Sequence, residues 1–186
     1  MKTTVLKIAM LVSGILLLSC GGQKETVTAA EMEKLETLVN EKSFVLNARW
    51  ANPLSTRSMN AIAGAGLLPP GSNTNRIDIL GTASYLKIEN DSVMAILPYY
   101  GERQFGGTYN PQEAGIQFKG VAENFKMNFN EKKRQYDFEF DVVNEFGEGF
   151  NVNGSLYANL NTTFYINSTE RMTIGYFGSV GAMEAE

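Results

Sequence analysis

The chain has 186 residues, with 16 Lys and Arg against 20 Asp and Glu, one cysteine and no histidine. The missing imidazole excludes Ser-His-Asp and Cys-His catalysis and any histidine-ligated zinc site, and a lone cysteine excludes an internal disulfide. A net charge of −4 argues against nucleic acid as a partner, because neutralising phosphates requires a basic face.

Residues 1–19 have the three-part form of a secretory signal: Lys2 and Lys7 at the positive end, an apolar run over 8–18, and the small Ser19 before the cut. As a helix that run rises only about 16 Å, well short of a hydrocarbon core of roughly 30 Å, so cleavage is expected rather than a membrane span. The run ends in Leu17-Leu18-Ser19-Cys20, which resembles the bacterial lipobox. That resemblance implies cleavage before Cys20, a thioether diacylglycerol on its sulfur and a further acyl chain on the new amino group. A thiolate suits this chemistry because it is a far better nucleophile than a serine hydroxyl near neutral pH. Two or more acyl chains give stable attachment where one gives only marginal binding. The expected partner is therefore the membrane, through the acyl chains on Cys20. The expected location is the cell envelope, as an outer-membrane lipoprotein facing either the periplasm or the surface.

Loss of residues 1–19, with Lys2 and Lys7, leaves 167 residues carrying 14 basic and 20 acidic side chains. This is enough for one domain with a sizeable core. Its acidity leaves attachment to the lipid rather than to electrostatic adhesion on an anionic bilayer. Residues 20–27 read as a lipidated tether, in which Gln23-Lys24-Glu25 faintly resembles the charged signal that sends some lipoproteins to the cell surface. The rest, residues 28–183, reads as a single β-rich domain.

Thr28 precedes Glu31 by three residues, the spacing of a capping box. Met32, Leu35, Leu38 and Val39 follow on one helical face. A helix is predicted within residues 28–42, from about Ala29 to Glu41. The period then changes to 2: Phe44, Leu46, Ala48 and Trp50 alternate with Val45, Asn47 and Arg49, a half-buried strand ended by Pro53. Residues 54–76, rich in Gly, Ser, Asn and Pro, read as a long loop insert, either poorly packed or a contact surface for another envelope protein.

Strands then recur at roughly ten-residue spacing. Residues 79–89 and 92–98 form a hairpin about Asn90-Asp91. Ile116 and Phe118 mark the next strand, then Phe125, Met127 and Phe129, then, beyond the charged turn at 131–134, Tyr136, Phe138, Phe140 and Val142. Phe150, Val152, Gly154 and Leu156 continue the pattern, followed by 163–167 and by Met172, Ile174 and Tyr176. The expected fold is mainly β: an antiparallel meander of eight or nine strands, curved or closed into a barrel of lipocalin-like shape, with one N-terminal α-helix.

Asp137, Glu139 and Asp141 share one strand face, where carboxylates serve a glycosidase or hold calcium in other proteins. On a single strand they read as an ordinary solvated face, so no catalytic or metal-binding residue is assigned and no cofactor is expected. Tyr99, Tyr100, Phe105 and Tyr109 gather around a Gly- and Pro-rich loop. Such side chains either line a sugar or lipid pocket or plug the end of a small barrel. Asp91-Ser92-Val93 matches the acidic, hydroxyl, apolar pattern at which some bacteria O-glycosylate exported proteins, which makes Ser92 a candidate attachment point.

Three stretches together resemble a family of bacterial lipoproteins known as domain of unknown function 4251: Tyr85-Leu86-Lys87-Ile88-Glu89-Asn90-Asp91, Leu97-Pro98-Tyr99-Tyr100-Gly101, and Arg171 with Ile174, Tyr176 and Gly178. The resemblance covers roughly residues 32–183, apart from the insert. It implies an exported β-rich domain and brings no activity, substrate or catalytic residue. The functional expectation is a non-enzymatic, lipid-anchored envelope protein that binds a small apolar or sugar-like ligand in the sheet's concavity. The alternatives are an interaction subunit of an envelope complex that uses the insert and, third, a carboxylate-based hydrolase.

Overall fold

The computed structural model describes residues 28–105 and 114–183; the signal segment, Cys20, the tether to Val27 and Tyr109 lie outside the described residues. Helix α1, Ala29–Glu41, starts where the capping box places it. The Glu31 N–H donates to Thr28 Oγ1 at 3.2 Å and the Thr28 N–H to Glu31 Oε2 at 2.9 Å, so each side chain satisfies an amide that the first turn leaves unpaired. Leu35, Leu38 and Val39 form its buried stripe. Lys42, at φ 49°, turns the chain directly into the first strand.

Strand β1 spans Ser43–Pro53. Its alternation breaks at Arg49, where a bulge shifts the register against the last strand between Ala48 and Trp50. Phe44 and Leu46 before the bulge, and Ala51 after it, are buried. Trp50 is thereby displaced from the inward row that the sequence suggested. The Arg76 guanidinium stacks 3.9 Å from its ring centroid, a cation–π contact.

The insert differs from the expected loop. Residues Arg57–Gly64 form a second helix, α2, capped by Thr56, whose Oγ1 accepts from the Met59 N–H at 3.2 Å. Met59 is the anchor of this helix, at 3% exposure. The chain returns through the two-residue strand β2, Ile77–Asp78, which pairs with β1. Residues 79–84, expected as strand, instead turn: Asp78 Oδ1 accepts from the Leu80 N–H and the Ile79 carbonyl from the Thr82 N–H.

The remaining strands are β3 Tyr85–Glu89, β4 Ser92–Leu97, β5 Ile116–Val121, β6 Glu123–Asn130, β7 Gln135–Val143, β8 Gly149–Tyr157, β9 Asn161–Ser168 and β10 Ile174–Ala182. They lie in the order β5-β4-β3-β1-β10-β9-β8-β7-β6, with β2 beside β1. Every pairing is antiparallel. Two meanders, β3 to β5 and β6 to β10, are thus joined by β1 in the middle. The two ends of the order, β5 and β6, are separated in the chain by Ala122 alone, so the sheet curls until it is nearly a closed barrel. Across the seam, Phe118 of β5 packs edge-on against Phe140 of β7, with ring centroids 6.4 Å apart. The expected mainly β fold, an antiparallel sheet of eight or nine strands curved into a barrel with an N-terminal helix, is observed, with nine strands along the sheet, the short β2 beside β1 and α2 as a second helix.

Among the described residues, the concavity of this sheet holds one continuous apolar core. Strands β1 to β5 and β7 to β10, both helices, and the partly buried Phe125 and Met127 of β6 all contribute to one apolar cluster. Tyr176, Phe44, Phe140 and Phe164 are its largest fully buried side chains. Full burial of such a side chain contributes about 1.5–3 kcal/mol.

Candidate functional site

At one end of the barrel, the tyrosine loop after β4 meets the turn between β9 and β10. The Tyr99 hydroxyl lies 3.0 Å from the Glu102 carbonyl oxygen and 3.1 Å from that of Met172, and shares its proton between them. Tyr176 donates to the Pro98 carbonyl at 2.9 Å. Burial pushes the Tyr99, Tyr100 and Tyr176 phenols up, Tyr176 furthest. Tyr99 and Tyr100 pack against the core, whereas Phe105 is 69% exposed and Tyr109 lies outside the described residues.

Beneath these rings sits a buried ion pair that the sequence did not reveal. Arg171 donates to Glu148 through Nε at 2.8 Å and Nη2 at 3.1 Å. Glu148 also accepts from the Ser168 hydroxyl, and the Arg171 guanidinium lies 5.3 Å from the Tyr99 ring centroid. The partners are 23 residues apart, and nothing in their local sequence pairs them. The arrangement is self-satisfied and ties three loops together. Two of the stretches that carried the family resemblance, the tyrosine loop and the segment from Arg171 to Gly178, meet in it.

Ser92 opens β4 beside the hairpin turn and is exposed, paired across to Glu89. The three carboxylates of β7 face outward, among polar side chains of β6, β8 and β9. Two cross-strand rows build this face. One runs Gly175, Tyr165, Asn153, Glu139, Lys126; the next runs Thr163, Ser155, Asp137, Asn128. Between them lies a groove of about 360 Å³, lined also by Tyr157. This volume is at the lower end of small-molecule sites, roughly 300–1,000 Å³.

The groove is wired in place by its own hydrogen bonds. Asp137 accepts from Ser155 Oγ at 2.7 Å, from Gln135 Nε2, and from Asn130 Nδ2 at 3.1 Å. Partial burial works against the Asp137 charge, but those bonds outweigh it and hold the carboxyl below its ordinary value. Asp141 is likewise held low, by amide donors Asn151 and Asn124, both at 2.9 Å. Lys126 Nζ lies 3.8 Å from Glu139. The side chains of Asn128 and Thr163 and the phenols of Tyr157 and Tyr165 make no hydrogen bond to described residues and are open to a ligand. Among the described residues, no group of three or more carboxylates is placed to hold a metal ion.

By periodicity alone this face has the pattern of plain solvated strand. The signal is present only as Asn, Ser and Thr alternating outward on β6, β8 and β9, either side of the β7 carboxylates, and the register that aligns them is not local.

The model of a family described as a domain of unknown function, DUF4251, matches residues 26–180. The structure is similar to the crystal structure of a DUF4251 family protein from Bacteroides eggerthii. The TM-score is 0.55 at 13% identity, over 83% of this chain and 89% of that one. No curated protein matches.

Proposed function

The chain belongs to the DUF4251 family, and from that premise we propose that it is a non-enzymatic, lipid-anchored protein of the outer membrane that holds a small polar ligand on the outer face of its barrel. The observation that carries this reading is the contrast between the two faces of the β6–β9 sheet. The inner face is packed with Phe138, Phe140, Val152 and Phe164, which leaves that region to the core. The outer face offers a groove in which Asp137 and Ser155 are fixed on rigid strands by their hydrogen bonds, beside Asn128, Thr163 and Tyr165, whose polar groups make none to described residues. Preorganised polar groups bind with less ordering cost than mobile ones. This moves the expected ligand from the concavity, and from Tyr99 and Tyr100, to the groove, and selects the sugar-like over the apolar alternative.

A hydrolase is the weaker reading for the same groove. A glycosidase acid needs a carboxyl pKa raised toward neutrality, whereas Asp137 and Asp141 are both lowered.

Thermal-shift screening of the mature chain tests the proposal, with sugars and other small polyols set against fatty acids. Stabilisation by a polar ligand that is lost in Tyr165→Ala is expected. Stabilisation by fatty acids alone puts the site inside the barrel and overturns it.

The interaction-subunit alternative draws on the apolar exposure of the insert region, where Leu54 is 50% and Leu67 73% exposed. Pull-down with and without residues 54–76 separates the two, because an unchanged partner list removes that alternative. Intact-mass analysis of the exported protein checks whether Ser92 carries a sugar.

A further inference from the structure

We propose that the groove is a platform for a neutral oligosaccharide, with the Tyr165 ring as its stacking surface and Asn153, Asn128 and Thr163 as its hydroxyl-reading groups; this deepens the binding function proposed above and rests on it.

Tyr165 stands directly opposite Gly175 in the β9–β10 pairing. A Cβ added at Gly175 would come within 2.9 Å of Tyr165 Cε1 and 3.1 Å of Cδ1. The ring therefore lies down across the glycine, supported from below by backbone, while the residue stays 47% exposed. An aromatic held flat with one side in water is suited to the apolar C–H face of a pyranose, and its phenol adds a polar edge. Next to it on the same row stands Asn153. An amide offers a donor and an acceptor side by side, which matches adjacent sugar hydroxyls. Asn153 donates to Asn151 at 3.4 Å, and its other amide hydrogen and carbonyl oxygen remain available.

Charge selects within this class. Asp137 and Glu139 line the groove, and its one cation, Lys126, lies 3.8 Å from Glu139. An anionic ligand would meet two carboxylates, whereas a neutral one can donate hydroxyl protons to them.

Length selects an oligosaccharide over a single sugar. A second groove, of about 340 Å³, lies further along the same strands, where Asp141, Asn151 and Asn167 line it beside the apolar Val143 and Phe150 and a further carboxylate, Glu123. Along β8 the outward row runs from Asn151 through Asn153 and Ser155 to Tyr157, about 20 Å at the strand rise per residue, long enough for several sugar rings in line.

The test is binding of the mature protein to an array of neutral oligosaccharides, with a plant lectin as positive control, followed by calorimetric titration of each hit. Tyr165→Ala is expected to weaken a hit by about tenfold or more, the usual scale for losing a stacked ring. Asn153→Ala, a substitution outside the core, should weaken it several-fold with an unchanged melting temperature. Gly175→Ala, which lifts the ring while leaving every polar group in place, should also weaken it. A blank array beside an active lectin, or a hit indifferent to both Tyr165→Ala and Asn153→Ala, overturns the proposal. If the array is blank but a polar ligand from the thermal-shift screen still depends on Tyr165, the saccharide assignment fails and the groove remains. If neither binds, both fail.

Discussion

Arg171 and Glu148 form a two-pronged ion pair in which both side chains are almost fully enclosed, at 4% and 3% exposure. Two charges out of water are tolerable only as a pair, since removing either leaves its partner desolvated and uncompensated. Glu148→Leu or Arg171→Met alone should therefore cost about 3–5 kcal/mol, whereas the double variant should recover most of the loss. Urea unfolding of the three variants measures this. A double variant as unstable as the singles would mean that the pair does more than satisfy itself.

At Gly178, β10 packs close against the backbone of β1. A Cβ there would sit 1.9 Å from the Asn47 carbonyl oxygen, at the point where the β1 bulge resets the register. Gly178→Ala must push the strands apart, and the cost should reach about 1–3 kcal/mol or more. Gly147→Ala is a useful contrast, because Gly147 has open space around it but sits at φ 84°. It should cost less, and only through the strained backbone. Thermal melts of both variants check the ranking.

The acidic face predicts a pH dependence. Asp137 and Asp141 titrate lower in the folded chain than in the unfolded one. The stability they contribute is fully present above the unfolded value, about 3.9, and is lost as pH falls through their lowered folded values. An Asp137→Asn/Asp141→Asn variant should therefore be less stable than the parent at neutral pH and converge on it in acid. Denaturant midpoints at pH 7 and near pH 3 provide the comparison. A gap that widens in acid would reverse the sign and contradict the hydrogen-bond account.

Membrane attachment is predicted to rest on Cys20. Cys20→Ala should leave the domain folded and shift the protein into the soluble fraction, as read by ultracentrifugation of cell lysates. Continued sedimentation with membranes would contradict the lipid anchor.

Features set by near neighbours were legible in the sequence. The capping box of Thr28 and Glu31 gave α1 its start, and the strict alternation of Tyr136, Phe138, Phe140 and Val142 gave β7 its faces. Features set by distant neighbours were hidden. The bulge that turns Trp50 is a register event between β1 and β10. Helix α2 was masked because Gly64, Gly66 and two prolines crowd its end, although Thr56 stands three residues before Met59, a local cap that could have been read. The groove depends on pairings such as Asp137 with Ser155 and on the Tyr165 ring lying over Gly175, neither of which periodicity can display.

The central claim is that ligand meets the outside of the barrel and not its interior. Amide chemical-shift mapping of the labelled mature protein, during titration with a pool of neutral oligosaccharides, tests it most directly. The account predicts shifts concentrated on β6 to β9, at Asn128, Asp137, Asn153, Ser155 and Tyr165. Shifts centred on Tyr99, Tyr100 and Arg171, or no shifts at saturating concentration, would contradict it.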